Sequence, residues 1–166
     1  MPGPGLPGEP QYLHATAIAI GGRGALIRGP SGSGKSDLAL RCLALAPSRL
    51  LRSVVSLVAD DQVELRRDLA GEPRLIASAP AALRGKLEVR GIGILEVADA
   101  PSAEIVLVAD LVREGPIERF PDPWPRAHIM GFDVPLLRLL PFENSAPMKL
   151  AAALEMAALP RVEWKA

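Results

Sequence analysis

The stretch Gly29-Pro-Ser-Gly-Ser-Gly-Lys35-Ser36 decides how this chain folds. It fits the pattern G-x-x-x-x-G-K-[ST], in which a glycine-rich loop wraps its backbone N–H groups around the phosphates of a nucleotide. An apolar run, Ala25-Leu26-Ile27, comes directly before the loop, and leucines at helical spacing follow it. Strand, loop and helix in this order are the context that the motif requires. The chain is therefore predicted to bind a nucleoside phosphate.

The residue types of the loop suit this task. Glycines permit the backbone angles and the close approach of a phosphate, and the start of the following helix adds N–H groups that point at the anion. Lys35 is predicted to contact the β and γ phosphates, and Ser36 to hold Mg²⁺. The predicted phosphate-binding residues are Gly29, Pro30, Ser31, Gly32, Ser33, Gly34, Lys35 and Ser36.

Composition excludes several classes of protein. The 166 residues are 49% apolar and 23% charged with a formal net charge of zero, which argues against a broad basic surface for nucleic acid. No apolar stretch reaches the roughly 18 residues that a membrane span needs, and the N-terminus lacks the pattern of a secretory signal. Cys42 has no second cysteine to pair with and is predicted to be a buried, inert thiol. These features favour a cytoplasmic protein.

The pattern of apolar residues predicts an α/β fold with a mixed sheet. Residues 1–10, with four prolines and three glycines, are predicted to be a flexible tail, and 11–166 a single P-loop domain. Helices are expected over 35–46 and 145–159, and a loop over 115–135. Candidate strands cover 13–20, 25–28, 54–59, 63–67, 75–79, 104–112 and 134–140. This irregular order indicates antiparallel additions to a parallel α/β core.

Phosphoryl transfer also needs a carboxylate near the metal and a group that receives the acceptor's proton. Asp60 and Asp61 follow a strongly β-prone run and therefore lie where a strand ends, the edge at which α/β sheets bind ligands. Asp110 follows a second apolar run in the same way, so the residues alone leave two candidate acidic sites.

His14 and the stretch 87–95 are further candidates. A lone histidine before an apolar strand is compatible with a surface or core position as well as with a site. Glu88 and Arg90 flank Gly91 and Gly93, which allow close backbone approach to a ligand. Glu88 could reach a metal and Arg90 could stabilise phosphoryl charge. An ordinary strand with exposed charges explains the same pattern.

Taken together, four segments in order resemble the catalytic domain of the HPr kinase/phosphorylase family. They are His14, the P-loop 29–36, the segment 57–63 (LVADDQV) and the segment 87–94 (LEVRGIGI), which resembles the family signature L-E-[IV]-R-G-[IL]-G-I. The resemblance covers about 13–159. It implies an ATP- and Mg²⁺-dependent kinase that phosphorylates a serine of HPr, the phosphocarrier of the sugar phosphotransferase system. The implied fold is that of phosphoenolpyruvate carboxykinase.

The resemblance also implies roles for individual residues. Asp60 resembles the carboxylate that takes the serine proton, and His14 the histidine beside that acid. Asp61 and Glu88 resemble metal ligands that act with Ser36. Arg119 resembles an arginine in a mobile loop of the family.

The chain departs from the family pattern at both ends. Only thirteen residues precede His14, so the resemblance is to a short form, of the alphaproteobacterial type, that lacks the N-terminal domain. The family's Pro-Val-x-x-Gly-Arg segment, tied to dephosphorylation by phosphorolysis, is replaced by 141–149 (PFENSAPMK). The reverse activity therefore stays open. A kinase or ATPase acting on another substrate and a nucleotide-sensing regulatory module are the alternatives. The family also implies a homo-oligomer, commonly a hexamer.

Overall fold

The computed structural model describes residues 9–119 and 121–157. Eleven strands, two α-helices and a short 3₁₀ helix (Ala81–Leu83) follow one another along this part of the chain. The strands are β1 (Gln11–Leu13), β2 (Thr16–Ile20), β3 (Arg23–Arg28), β4 (Ser56–Ala59), β5 (Val63–Asp68), β6 (Arg74–Ser78), β7 (Lys86–Val89), β8 (Gly93–Glu96), β9 (Ser102–Leu111), β10 (Arg126–Ile129) and β11 (Phe132–Leu139). The helices are α1 (Lys35–Leu43) and α2 (Ala146–Ala157).

Nine of these strands form one mixed sheet. Seven of them follow the order β1-β5-β6-β9-β3-β2-β4, and β11 and β10 lie off this path. The long strand β9 lies parallel to β3 along one edge. Along its other edge it pairs with β6 near its start and with β11 near its end. Strand β10 extends the sheet as a hairpin with β11, whereas β7 and β8 form a separate hairpin. The fold class α/β with a mixed sheet is thereby confirmed.

Four strands of the sheet, β3, β4, β9 and β11, run in the same direction. Strand β4 is antiparallel to β2, which is antiparallel to β3, so β4 and β3 point the same way. Strands β9 and β11 share that direction. The carboxyl ends of these strands therefore meet at one edge of the sheet, where α/β proteins bind ligands. The P-loop leaves this edge from β3, with β4 on one side and β9 and β11 on the other.

Two apolar cores hold the sheet. One face packs against both helices and the β7–β8 hairpin, through residues such as Ile27, Leu38, Leu87, Leu107 and Leu150. The other face is covered because the sheet curls, bringing β4 into contact with β6. Burying apolar surface stabilises a fold by about 25 cal/mol per Å². No helix in the described part of the chain is long and apolar enough to cross a membrane.

Most of the predicted elements are present, with two corrections. The predicted strand 13–20 is broken, because the chain bends at His14 between β1 and β2. The predicted loop 115–135 contains β10 and the start of β11. The turn of that hairpin uses Met130 and Gly131, both with positive φ, and methionine is not a residue that signals such a turn.

The predicted division into a tail (1–10) and one domain (11–166) stays a prediction, since 1–8 and 158–166 lie outside the described residues.

Cys42 is expected to resist thiol reagents in the folded protein. It is fully buried on α1, its Sγ–H points at the carbonyl of Pro147 at 3.8 Å, and burial raises its pKa to about 12. The thiolate, which is the reactive form, is therefore almost absent at neutral pH. Mass spectrometry after iodoacetamide treatment should show no alkylation in native buffer and complete alkylation in denaturant. Alkylation at equal rates in both conditions would contradict this packing.

Candidate active site

A polar pocket of about 340 Å³ opens at the P-loop. The loop leaves β3 at Gly29 and enters α1 at Lys35. Asp37 and Leu40 of α1 add to the same side, and the other walls of the pocket come from distant parts of the sequence. The lining residues are His14, Ser31, Gly32, Gly34, Lys35, Ser36, Asp37, Leu40, Asp61, Glu88, Val89, Arg90 and Phe142. The structure thus brings together the P-loop, His14, Asp61, Glu88 and Arg90, as the sequence patterns predict.

The loop itself leaves little room for larger residues. Gly34 has φ +94°, and a Cβ built there would lie 2.9 Å from the Cζ atom of Phe142. Gly29 lies against the hydroxyl of Ser33, only 2.5 Å from where a Cβ would stand. That hydroxyl is buried and has no hydrogen-bond partner among the described residues. Glycine is required at both positions, as the phosphate-loop pattern implies.

Lys35 is held at the centre of the loop. Its Nζ donates to the carbonyls of Gly29 at 2.9 Å and Pro30 at 3.1 Å, and lies 3.2 Å from Nε2 of His14. Burial lowers the pKa of Lys35, and the negative charges of Asp61 and Asp60 oppose that shift. An ammonium satisfied only by neutral acceptors in this position is ready to exchange them for phosphate oxygens.

Asp60 is a buried anchor. It is 5% exposed, and both of its carboxylate oxygens accept hydrogen bonds. Oδ1 accepts from the hydroxyls of Thr16 and Ser36, each at 2.8 Å, and Oδ2 accepts from the backbone N–H of Glu88 at 3.2 Å. The side chain therefore ties β2, the end of the P-loop and the β7–β8 hairpin to the end of β4. It is not among the residues that line the pocket.

Asp61 points the other way. Its φ is +66°, and the N–H of Gln62 donates to the carbonyl of Asp60 at 2.8 Å, which closes a tight turn. Aspartate tolerates this left-handed backbone better than most residues. The turn sends the carboxylate of Asp61 into the pocket, where its side chain is 69% exposed. Strained backbone of this kind is found most often at functional sites.

His14 links Asp61 to Lys35. Its Nδ1 lies 3.1 Å from Oδ1 of Asp61 and 3.1 Å from the carbonyl of the same residue. An ammonium can only donate, so Nε2 of His14 must accept from Lys35. The hydrogen-bond network therefore assigns the neutral imidazole its proton on Nδ1, from which it donates to Asp61. Carboxylate, imidazole and ammonium form a continuous chain across the mouth of the loop.

Glu88 and Arg90 reach the pocket from the β7–β8 hairpin. Glu88 lies on β7, and Arg90 begins the turn that Ile92 N–H closes on the carbonyl of Val89 at 3.0 Å. Both side chains are exposed and line the pocket. In the part of the chain that the structure covers, no three His, Cys, Asp or Glu side chains are close enough to hold a metal by themselves. Mg²⁺ sites with nucleotides commonly rely on one or two protein ligands, water and the phosphates.

Asp110, the other candidate acidic residue, is paired with Arg28. It lies near the end of β9 and accepts two hydrogen bonds from the guanidinium of Arg28, at 2.7 and 2.8 Å. This bidentate salt bridge joins the parallel strands β3 and β9 just before the P-loop. Asp110 does not line the pocket. The choice that the sequence leaves open therefore falls on Asp60 and Asp61.

Two further residues differ from what the sequence indicates. Arg119 is exposed in the connection between β9 and β10 and does not line the pocket. Phe142 lines the pocket although no sequence pattern singles it out. Its position directly after Pro141, where β11 has ended at the functional edge of the sheet, is the signal that could have identified it.

Comparisons with known proteins agree with this geometry. The family model for the HPr serine kinase C-terminal domain matches residues 8–159. The HPr kinase/phosphorylase of Limosilactobacillus reuteri is 36% identical over 162 residues, covering 89% of this chain and 45% of that protein. The corresponding protein of Exiguobacterium sp. is 44% identical over 85 residues, covering 51% and 24%. This chain thus spans less than half the length of these curated relatives.

A solved structure is similar over nearly its whole length. The HPr(Ser) kinase/phosphatase from Coxiella burnetii superposes with a TM-score of 0.68 at 28% sequence identity, covering 87% of this chain and 88% of that one. The family model spans all the residues from His14 to Arg119 that the geometry and the sequence single out. The chain therefore belongs to the HPr serine kinase C-terminal domain family.

Proposed function

We propose that this protein is a Mg²⁺- and ATP-dependent kinase that phosphorylates a serine of HPr. The observation that carries the proposal is the chain Asp61–His14–Lys35 across the mouth of the P-loop. It sets a solvent-exposed carboxylate beside the ammonium that would hold the terminal phosphate. The names of the relatives, HPr kinase/phosphorylase and HPr(Ser) kinase/phosphatase, supply the acceptor.

In this proposal the two aspartates exchange the roles that the sequence resemblance implies. Asp60, predicted to take the serine proton, has both oxygens occupied and is buried beneath the pocket. An acceptor hydroxyl could not reach it without displacing Thr16 or Ser36. Asp61 is exposed and oriented by His14, which suits a general base that must meet a hydroxyl within about 3 Å. We therefore assign proton abstraction to Asp61 and support of the metal site to Asp60.

The transfer step balances on these residues. The serine Oγ–H gives its proton to Asp61 while its oxygen forms a bond to the γ phosphorus. The bond from that phosphorus to the β-phosphate oxygen breaks, and ADP leaves. Lys35 stabilises the phosphate oxygens throughout, and Arg90, exposed on the opposite wall, is positioned for the same charge.

The residues present fit Mg²⁺. The Ser36 hydroxyl donates a hydrogen bond to Asp60, which leaves the lone pairs of the Ser36 oxygen free for a cation. Glu88 lines the same pocket with an exposed carboxylate. When bound, Mg²⁺ would supply positive charge that offsets the negative charge of the phosphates during transfer. Ser36 would be a direct ligand and Glu88 a second one, and Asp60 would orient Ser36 from behind.

Dephosphorylation of HPr by phosphorolysis would use the same groups, with inorganic phosphate in place of ADP as the phosphoryl acceptor. Inorganic phosphate would attack the phosphorus of phosphoserine, Asp61 would return the proton to the serine oxygen, and pyrophosphate would form. The departure at 141–149 lies next to the pocket, since Phe142 belongs to it. This activity is tested by incubating the protein with seryl-phosphorylated HPr and inorganic phosphate and measuring the release of pyrophosphate.

We expect purified protein to transfer label from γ-³²P-ATP to a serine of HPr in the presence of Mg²⁺. Omission of Mg²⁺ should remove the transfer. The control is HPr with its acceptor serine replaced by alanine, which should stay unlabelled. Transfer to another acceptor but not to HPr would favour a kinase with a different substrate. ATP binding without turnover on any acceptor would contradict the proposed activity and favour a nucleotide-sensing module.

A further inference from the structure

Phe142 is an unusually placed aromatic residue. Its side chain is 70% exposed, although burying a phenylalanine stabilises a fold by about 1.5–3 kcal/mol. It lines both pockets that open at the P-loop, and it is the one phenylalanine, tyrosine or tryptophan among their described lining residues. Because this exposed ring lines pockets at the P-loop, it is available to contact a ligand bound there.

The ring is held in place by its surroundings. Its outer edge, at Cζ and Cε1, lies against Gly34, where a Cβ would come within 2.9 and 3.2 Å. The preceding carbonyl, of Pro141, accepts a hydrogen bond from Arg41 on α1. Arg41 is itself paired with Asp37 at 2.9 Å. One edge of the ring thus lies against the loop, the backbone before it is held by Arg41, and the residue lines both pockets.

The sheet topology separates the two ends of a bound nucleotide. Asp61, at the end of β4, marks the side of the P-loop where the terminal phosphate meets its acceptor. The ends of β9 and β11 lie on the opposite side of β3. A triphosphate that runs along the loop with its terminal phosphate toward β4 must send its nucleoside toward β9 and β11.

A second pocket of about 340 Å³ lies there. Its walls include Gly32 of the loop, Val112 after β9, and Leu140, Pro141 and Phe142 after β11. Apolar walls with a few polar groups at the rim are typical of sites that accept a flat ring. The pocket that holds Asp61 and Glu88 is, in contrast, lined mainly by polar side chains.

We infer that Phe142 is the stacking platform for the purine base of the bound nucleotide, with the base in the pocket formed by the ends of β9 and β11. This inference rests on the proposed use of ATP. It assigns to the segment 141–149, where the chain departs from the family pattern, a role in nucleotide affinity. Stacking reads the face of a base, so the ring contributes affinity and tolerates either purine.

The test compares ATP with inorganic tripolyphosphate, which has the phosphates and lacks the base. Calorimetric titration of the full chain with Mg²⁺ should show that Phe142→Ala weakens ATP about 5- to 150-fold, the range for loss of one base–aromatic stack. The affinity for tripolyphosphate should stay unchanged. Phe142→Trp should retain ATP binding, and its added fluorescence should respond to ATP but not to tripolyphosphate. Leu69→Ala, an equally apolar exposed position distant from the loop, is the control for surface effects.

Two results would overturn the inference. An equal loss of ATP and tripolyphosphate in Phe142→Ala would mean that the ring supports the P-loop through Gly34 and does not meet the base. ATP affinity unchanged in Phe142→Ala would mean that the base lies elsewhere. Both readouts are binding constants, so a failure of transfer to HPr would contradict the proposed kinase activity and not this inference.

Discussion

Asp61→Asn is expected to lower the rate of phosphoryl transfer to HPr by about 10²–10⁴-fold, the usual contribution of a positioned general base. Asparagine fills the same space and tolerates the left-handed backbone at this position, where φ is +66°. Its amide cannot accept the serine proton. The Kd for ATP should change little, since the side chain is exposed at the acceptor end of the pocket.

The measurement is a single-turnover transfer assay at saturating ATP, with the Kd determined separately by calorimetry. A matched control exists in the same chain. His128 and Asp133 form a second exposed histidine–aspartate pair, at 2.9 Å, on the β10–β11 hairpin. Asp133→Asn makes the same chemical change outside the pocket and should leave transfer unaltered. Full turnover by Asp61→Asn would show that the proton goes to another group.

Asp60→Ala is expected to lower the free energy of unfolding by about 2–4 kcal/mol and to abolish transfer. The substitution leaves two hydroxyls and one backbone N–H without their charged acceptor in a buried position. For a domain of this size the loss corresponds to a drop in Tm of roughly 5–15 °C. In the proposed mechanism transfer would fail because Ser36 loses the partner that orients its oxygen toward Mg²⁺.

Urea unfolding followed by circular dichroism measures the first effect. Asp133→Ala, which removes an exposed carboxylate, should change the free energy of unfolding by less than about 1 kcal/mol. Asp60→Asn keeps one acceptor oxygen and should fall between wild type and Asp60→Ala. A urea midpoint for Asp60→Ala at or above that of wild type would contradict this expectation. It would mean that burying the charge destabilises the fold by more than its three hydrogen bonds stabilise it.

These two experiments separate the roles of Asp60 and Asp61, which the sequence alone does not distinguish. Asp60 and Asp61 have the same side chain and adjacent positions after β4. A tight turn at Asp61 sends one carboxylate into the protein and the other into the pocket. If the proposed roles hold, Asp60→Ala lowers stability and transfer together, whereas Asp61→Asn lowers transfer at nearly constant stability.

The sequence alone indicates the parts of the site that depend on local patterns. The P-loop is recognisable because its geometry needs glycines at fixed positions followed by lysine and serine, with a strand before them and a helix after. A Gly-Gly pair is an equally local signal for a turn, and Gly21 and Gly22 form the turn between β2 and β3 with positive φ. The α/β class, the order of most strands and the buried Cys42 follow from apolar periodicity.

Only the tertiary structure decides which distant residues meet. Arg28 and Asp110 are far apart in sequence but lie in register on parallel strands, and their pairing removes Asp110 from the candidate acids. Phe142 reaches the P-loop because β11 ends at the same edge of the sheet as β3. Hydrogen bonding between strands brings these distant residues into contact, and no local sequence pattern predicts which strands pair. The sequence thus predicts a phosphate-binding loop, and the fold decides which of the two carboxylates, Asp60 or Asp61, faces the pocket at that loop.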